Sequence, residues 1–293
     1  MAGAAELQSR LKAIITDRES GSSEIALRIL RLLSEEPGFM SYQSTEAVKL
    51  LDSLIKTALE RPSLVLPVNL LSVIHEALLR SPRLDINISR LSSRLLEIYS
   101  ESLSVAVSNA VKRMRGFDRI FTLSYSSQVL RTLTSLRDVS VYMTVGWPLF
   151  DGLRAAEKLR DSGVSVHVYP DAALAEAVHL SEAVLVGCDA VLRDGSLVNR
   201  SGTLLAALAA EGERPVISIV DSFKLDRLNA WRPETTAHLQ CGFELSYRLF
   251  ETTPPRLLSE FVSEIGALEP LDFVHEAEKR IGMIVEKLPS ETS

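Results

Sequence analysis

Along the first part of the chain, the hydrophobic residues recur at the spacing of an amphipathic helix. The spacing holds from residue 4 to about residue 115, in segments such as AVKLLDSLIKTALE and ISRLSSRLLEIYSESLSVAVSNAV. Proline and glycine fall in the breaks between these segments. The pattern predicts a helical domain over residues 1–115.

After Gly116 the pattern changes to short runs of β-branched and apolar residues, separated by helical stretches. The runs read DRIFTLS, SVYMTV, VSVHVY, AVLVGCD and PVISIV. Strands that alternate with helices are typical of right-handed βαβ units. We therefore expect an α/β fold in which residues 116–293 form a Rossmann-like domain around a mostly parallel, doubly wound sheet.

In such sheets, ligands bind beyond the carboxyl ends of the strands. The segments that follow the five runs are residues 124–127, 146–151, 169–171, 188–189 and 221–224. The chain has no GxGxxG motif after its first predicted strand and no GxxxxGK[ST] motif. The two common signatures of dinucleotide and nucleoside-triphosphate binding are therefore missing, and a nucleotide site of another kind stays open.

Composition narrows the class of protein. Of the 293 residues, 46% are hydrophobic, and no apolar run approaches the ~20 residues of a membrane helix. The only cysteines are Cys188 and Cys241, and the five histidines are scattered. We expect an unexported cytoplasmic protein with no metal site and no membrane contact.

The net charge of −6 is unevenly distributed. Residues 1–115 hold 15 Lys and Arg against 13 Asp and Glu, whereas the remainder holds 17 against 25. The acidic second half is a poor surface for nucleic acid, so no direct nucleic-acid partner is expected. The arginines of the first half fit either a local basic patch or a solvated helix face.

The segment VLVGCDAVLRDGSLVNRSGTLLAALAAEG is the richest in candidate chemistry. It predicts a strand, a hairpin that turns at Asp194-Gly195, and an apolar helix opened by Asn199-Arg200-Ser201-Gly202-Thr203. A helix N-terminus with free N–H groups beside a glycine and an arginine suits a phosphate group. Alternatively, Thr203 or Ser201 only caps the helix and Arg200 is solvated.

Asp189 ends the predicted strand of this segment, where an enzyme places a general acid or base. A carboxylate there can be partly buried, with a shifted pKa. An aspartate that only accepts backbone N–H bonds in the turn is the alternative. Cys188 should point away from Asp189 and is expected to be a core thiol.

Another helix start with possible anion donors lies near the N-terminus. The residues DRESGSS, 17–23, precede the amphipathic run EIALRILRLL. Arg18, Gly21 and Ser22 are the candidate ligand contacts there. An N-cap by Ser22 or Ser23 would also explain the composition.

Four separated segments resemble one family of proteins. They read FTLSYSSQVL, PLFDGLRAAEKLRDSGVSVHVYPDAA, VLVGCDAVLRDGSLVNRSGTLLAALAA and FETTPPRLLSEFVSEIGAL. The chain resembles the α, β and δ regulatory subunits of translation initiation factor 2B, together with the related ribose-1,5-bisphosphate and methylthioribose-1-phosphate isomerases. The resemblance is close over residues 116–268 and looser over the first half, through DRESGSSEIA.

For the isomerases, the resemblance implies proton transfer by a cysteine after the first strand and an aspartate after the fourth. The aspartate corresponds to Asp189, which would be catalytic only in an isomerase, and Ser124 holds the cysteine position. A serine hydroxyl is far less acidic than a thiol, whose free pKa is about 8.5. The exchange argues against isomerase activity.

Two further positions depart from the family pattern. The common Glu-Ser-Arg-Pro reads Val145-Gly146-Trp147-Pro148 here, which removes an arginine that resembles a phosphate ligand. Arg200 replaces the lysine of Asn-Lys-x-Gly-Thr and keeps the charge.

No cofactor is expected. The predicted ligand-binding residues are Arg18, Gly21, Ser22, Ser124, Ser126, Asn199, Arg200, Gly202 and Thr203.

The resemblance therefore implies a non-catalytic regulatory subunit that binds a sugar phosphate or nucleotide, forms a homodimer through its second domain and contacts initiation factor 2. One alternative is an aldose-ketose isomerase similar to ribose-1,5-bisphosphate isomerase, in which another group replaces the thiol. A metabolite-binding protein unconnected with translation is the other.

Overall fold

A computed structural model describes residues 2–17, 20–35, 44–80 and 87–289. Its first part, named here the helical region, contains α1 (Ala2–Ile15), α2 (Ser22–Glu35), α3 (Ser44–Leu59), α4 (Val65–Arg80) and α5 (Ile88–Met114). Apolar side chains three and four residues apart bury one face of each amphipathic helix. In α2, for example, Ile25, Ile29 and Leu33 are fully buried. The predicted helical character of this part is confirmed.

A seven-stranded sheet lies at the centre of the second part. Its strands, in spatial order, are β12 (Gly266–Leu268), β11 (Glu260–Ser263), β7 (Val216–Ile219), β4 (Ala183–Val186), β1 (Arg119–Thr122), β2 (Ser140–Thr144) and β3 (Ser165–Tyr169). Every neighbouring pair is parallel except β11 with β12. The predicted α/β fold is confirmed, and all five predicted strands belong to this sheet.

Shorter elements surround the sheet. The helices that follow the strands are α6 (Ser127–Thr134), α7 (Asp151–Asp161), α8 (Leu174–His179), α9 (Thr203–Ala210) and α10 (Pro270–Lys287). A small antiparallel sheet contains β5 (Ala190–Val191), β6 (Leu197–Arg200) and β10 (Phe250–Thr253). The predicted turn at Asp194-Gly195 joins β5 to β6, and β8 (Thr235–Gln240) pairs with β9 (Phe243–Arg248) in a separate hairpin.

The helical region and the sheet share parts of their cores. Phe223, which follows β7, packs in the core of the helical region together with Ile281 and Val285 of α10. The C-terminal half of α5 contributes Ala110 and Met114 to the core beneath the sheet. The boundary between residues 115 and 116 stays a prediction, because these elements link the two parts through packing.

Polar contacts also join the two parts. The Asn69 side chain of α4 is 1% exposed, and its Nδ2 donates to the carbonyl oxygens of Phe223 and Leu225, both at 2.6 Å. Arg113 of α5 pairs with Glu260 of β11 at 2.5 Å. Within the described ranges, no helix has the length and apolar content needed to cross a membrane.

Candidate functional site

The carboxyl ends of β1, β4 and β7 open into a cavity of about 100 Å³, named here the first cavity. The N-terminus of α2 lines the opposite wall. The strand order reverses between β1 and β4, and such a switch point is the usual ligand site of a doubly wound sheet. Predicted site residues that line the first cavity are Gly21, Ser22, Ser124, Ser126, Asp189, Asn199 and Arg200.

Three predicted residues do not line the first cavity. Arg18 lies outside the described residues. Thr203 is fully buried, and its hydroxyl donates to the Arg200 carbonyl oxygen at 2.6 Å. Gly202 lines an adjoining second cavity of about 220 Å³.

Asp189 lies beyond the end of β4, with its carboxylate in the first cavity. Burial raises the pKa of this carboxyl group above its ordinary value, and the charges of Lys224, Arg200 and Arg61 and a hydrogen bond from Ser22 oppose part of that rise. Its backbone N–H donates to the Val198 carbonyl oxygen at 2.9 Å. The carboxyl group can therefore hold a proton at a higher pH than an exposed aspartate.

Two residues that follow the neighbouring strands β1 and β4 line the first cavity together with Asp189. Ser124 is 8% exposed and has a φ of 60°, a left-handed conformation that is uncommon for a residue other than glycine. A Cβ on Gly187 would lie 2.7 Å from the Ser126 hydroxyl oxygen, so only glycine allows this approach. Strain at Ser124 and close packing at Gly187 are typical of a functional site.

Positive charge surrounds the first cavity. Lys224 follows β7 and has a 3% exposed side chain, whose Nζ donates to the Cys188 carbonyl oxygen at 2.5 Å. Arg200 donates from Nε to Asp151 Oδ2 at 3.0 Å, and Arg61 and Arg154 also line the cavity. This concentration of cations beside a helix N-terminus favours a ligand that carries phosphate.

Sequence reasoning did not select four of these residues. Lys224 and Asp151 lie in segments 221–224 and 146–151, which the strand-end rule had marked without naming a role for either side chain. Arg61 and Arg154 carry no local signal, because they come from a connection after α3 and from α7. Only the tertiary packing brings them to the first cavity.

The predicted phosphate site at the start of α9 is already occupied by a side chain of the protein. Glu251 of β10 accepts hydrogen bonds from the N–H groups of Gly202 at 2.8 Å and Leu204 at 2.9 Å. The alternative cap was also wrong, because the Ser201 hydroxyl donates to Arg248 and Thr203 to Arg200. Residue 251 is too distant in sequence for a local pattern to indicate this cap.

The start of α2 behaves differently. The Gly21 carbonyl oxygen accepts from the N–H groups of Glu24 and Ile25 at 3.0 and 3.1 Å. The Ser22 hydroxyl faces Asp189 rather than capping its own helix. The predicted N-cap by Ser22 or Ser23 is wrong, because α2 begins at Ser22 and both serines lie within the helix. Gly21 and Ser22 lie at the cavity wall.

Cys188 matches its prediction as a core thiol. It is 4% exposed within the apolar cluster on one face of the sheet, and burial raises the pKa of the thiol well above its ordinary value. The Cys188 thiol, which also lines the first cavity, therefore ionises less readily than a free cysteine. Across the described residues, no cluster of three or more His, Cys, Asp or Glu side chains could hold a metal ion.

Comparison with known proteins identifies the family. Residues 18–270 match the model of the Initiation factor 2 subunit family. The chain belongs to this family. The resemblance found in the sequence is thereby confirmed.

The relatives to which this chain is similar are of two kinds, some named as isomerases and others as initiation factor subunits. The chain is 27% identical over 282 residues to the ribose 1,5-bisphosphate isomerase of Methanocaldococcus jannaschii, with 89% of this chain and 87% of that protein covered. It is 30% identical over 162 residues to a Pyrococcus abyssi protein named as eIF-2B subunit 2-like, with 52% of this chain and 58% of that protein covered.

The fold is also found in a solved structure. The structure of the Pyrococcus horikoshii translation initiation factor eIF-2B matches with a TM-score of 0.78 and 22% sequence identity, covering 92% of this chain and 98% of that one. At this identity the match shows the fold alone.

Proposed function

We propose that this member of the Initiation factor 2 subunit family is a non-catalytic regulatory protein that binds a phosphorylated sugar or nucleotide in the first cavity. The observation that carries the proposal is that Ser124 and Asp189 line the same cavity. A hydroxyl group therefore stands in this cavity at the position where the resemblance implies a thiol.

The charges around the cavity support phosphate binding. Lys224 and Arg200 lie at its inner wall with side chains 3% and 14% exposed, so their charges are little screened by water. Arg154 is exposed, and its side chain forms no ion pair or hydrogen bond within the described part of the chain. The N-terminus of the 14-residue helix α2 adds its partial positive charge.

Residues of the first cavity also explain why the proposed function is non-catalytic. Aldose-ketose conversion needs one group to remove a proton from carbon and another to deliver a proton to oxygen. Asp189 has the raised pKa of a proton carrier. A serine hydroxyl does not ionise near neutral pH, and no described histidine lines the first cavity to activate it.

Ligand binding can be measured by isothermal titration with ribose 1,5-bisphosphate and ribose 5-phosphate, with ribose as the control. We expect both phosphate esters to bind and ribose to bind far more weakly. Arg154→Gln should weaken phosphate binding about tenfold. Arg160→Gln removes an exposed charge from the same helix and should have no effect, since the only ion pair of Arg160 among the described residues is with Asp161. Failure of both esters and of adenosine 5′-monophosphate to bind would overturn the proposal.

An isomerase similar to ribose-1,5-bisphosphate isomerase is the second candidate function. The specific observations that favour it are the raised pKa of Asp189 and the M. jannaschii relative that aligns over 89% of this chain. Phosphorus NMR of ribose 1,5-bisphosphate with the protein separates the two functions. Conversion to a ketose by the natural protein, lost in Asp189→Asn, would establish the enzyme.

We also propose that the protein acts in the cytoplasm as a homodimer and contacts initiation factor 2. Membership of the Initiation factor 2 subunit family supports contact with initiation factor 2. An exposed apolar surface on the β8–β9 hairpin supports the homodimer. Leu239 and Phe243 at the tip of the β8–β9 hairpin are 74% and 71% exposed. Capture of initiation factor 2 by the immobilised protein in mild salt tests the partner, and failure of capture would favour a metabolite-binding role outside translation.

A further inference from the structure

A buried carboxylate lies directly behind the innermost cation of the first cavity. Lys224 lines the cavity, whereas Asp221 does not line it and is 0% exposed. The Asp221 Oδ2 lies 3.9 Å from the Lys224 Nζ. The same Nζ donates to the Cys188 carbonyl oxygen at 2.5 Å and to Gln128 Oε1 at 3.4 Å. Lys224 therefore lies between a cavity that suits anions and a carboxylate of its own chain.

The burial of the Asp221 carboxylate is poorly compensated. Neither of its oxygens has a hydrogen-bond partner of normal geometry among the described residues. Burial raises the pKa of this carboxyl group to about 7, and Lys224, the Phe223 N–H group and Arg280 oppose only part of the rise. Asp221 therefore changes its charge near neutral pH, at a short distance from a cation of the cavity.

Glu264, the second buried carboxylate of this cluster, has several donors. Its side chain is 3% exposed and accepts hydrogen bonds from the Ser222 N–H group at 3.1 Å, from the Ser222 hydroxyl group and from Arg280 Nε at 3.0 Å. Arg280 also donates to the Ser102 hydroxyl oxygen of α5 at 2.9 Å. These contacts fix the Glu264 carboxylate, and its negative charge disfavours a second one at Asp221.

Two titratable groups of other elements also face Asp221. The Tyr99 hydroxyl group of α5 and the Cys188 thiol after β4 both interact with its charge. Burial raises the pKa of each group well above its ordinary value, so both are neutral near pH 7. A change of charge in this cluster near neutral pH therefore belongs to Asp221.

We propose that the protonation state of Asp221 controls how tightly the first cavity binds anions. When Asp221 is ionised, its charge offsets that of Lys224, and the inner end of the cavity attracts anions weakly. When Asp221 is protonated, the charge of Lys224 is no longer offset, and an anion binds more tightly. This inference rests on the proposed phosphate site and adds its regulation. Asp221 is then a positioning residue that acts through Lys224 without touching the ligand.

The test compares the natural protein with Asp221→Asn by isothermal titration between pH 5.5 and pH 8.5. The probe is whichever of ribose 1,5-bisphosphate, ribose 5-phosphate and adenosine 5′-monophosphate binds the natural protein most tightly. Phosphate esters themselves titrate near about pH 6, and Asp189 in the cavity has a raised pKa of its own. Both effects occur equally in the two proteins, so the ratio of the two dissociation constants isolates Asp221.

We expect equal affinities at pH 5.5, where Asp221 is neutral and resembles asparagine. At pH 8.5, Asp221→Asn should bind the probe about tenfold more tightly than the natural protein. An anion in contact with Lys224 should raise the pKa of Asp221 by about one unit, which corresponds to that factor.

Glu264→Gln gives a readout that a merely structural effect would not change. Removal of the Glu264 charge should lower the pH at which the affinity changes, because that charge adds to the rise at Asp221. Glu278→Gln removes an exposed carboxylate of α10 and should leave that pH unchanged.

The outcomes separate this inference from the function on which it rests. If the probe binds and the ratio of dissociation constants stays constant with pH, control by Asp221 is wrong and the phosphate site stands. An unchanged midpoint in Glu264→Gln would also overturn it, and this variant decides alone if Asp221→Asn does not fold. If none of the three compounds binds, the proposed function fails and this inference with it.

Discussion

Asp221 illustrates how a single buried residue can set the pH response of the protein. It follows β7, is 0% exposed, and lies 3.9 Å from Lys224 Nζ. Burial raises its pKa to about 7, with Lys224 and Arg280 opposing the rise and Glu264 adding to it. Tyr99 of α5 also faces this charge, which contributes to raising the pKa of the tyrosine.

The consequence for stability follows from proton linkage. In the unfolded chain, the carboxyl group titrates near 3.8, so between that pH and about 7 the native state holds more protons. The contribution of Asp221 to the free energy of unfolding is therefore greatest at low pH and is lost as the pH rises through about 7. In Asp221→Asn we expect the fall in the free energy of unfolding to become smaller, because only the fall that Asp189 contributes through its own raised pKa remains, and urea unfolding between pH 5 and pH 8 can measure the difference.

The exposed Asp161→Asn variant serves as the control for Asp221→Asn. It lies on α7 with no buried charge to remove and should keep the pH dependence of the natural protein. Equal pH slopes in the natural protein and Asp221→Asn would contradict the assignment of the titration to Asp221.

Restoring the thiol at position 124 tests the chemistry of the first cavity. Cysteine differs from serine by one atom, and the left-handed backbone at this position already carries a side chain. We expect Ser124→Cys to gain measurable conversion of ribose 1,5-bisphosphate, because a thiol ionises far more readily than a hydroxyl group. Adding Asp189→Asn should abolish the gain. An inactive Ser124→Cys that still binds the sugar would show that more than the thiol has been lost.

At the scale of elements, Glu251 stabilises the start of α9. Its carboxylate accepts two N–H groups at the positive end of that helix. Glu251→Ala should lower the free energy of unfolding by about 1–2 kcal/mol. Thermal or urea unfolding checks this value, and Glu244→Ala on the exposed β9 strand should change it little. An unchanged stability in Glu251→Ala would rule out the cap.

The sequence predicts the central elements because their signals are local. The runs that became β1 and β4 are apolar and β-branched, and they alternate with helical stretches. The β8–β9 hairpin was not predicted, although FELSYR in β9 alternates apolar and polar residues and so does carry a local strand signal. The strands β10 and β11 were missed for a different reason: each has only four residues and pairs with a strand far away in sequence.

The same distinction between local sequence signals and tertiary contacts applies to the residues of the candidate site. Asp189, Asn199 and Arg200 follow one strand and one turn, and a local motif finds them. Lys224 was indicated only by its position after β7. Glu251 caps the N-terminus of α9, where the sequence predicted a phosphate site. Both effects require pairing between segments that are far apart in sequence.

At the scale of the whole molecule, the exposed apolar hairpin predicts the oligomeric state. Light scattering after size-exclusion chromatography should give the mass of a dimer for the natural protein and of a monomer for the double variant Leu239→Ser, Phe243→Ser. Leu79→Ser removes a leucine that is 59% exposed on α4 and should leave the dimer intact. A monomer in the natural protein would contradict the proposed dimer.

Asn69 has a consequence for how the two parts of the molecule respond to a ligand. Its two hydrogen bonds lie on either side of Lys224, so α4 holds the backbone that carries the innermost cation of the first cavity. A ligand that contacts Lys224 restrains this backbone, and the restraint passes to α4 through the Asn69 amide. Amide hydrogen exchange in α4 should therefore slow when the cavity is filled, although no part of that helix touches the ligand.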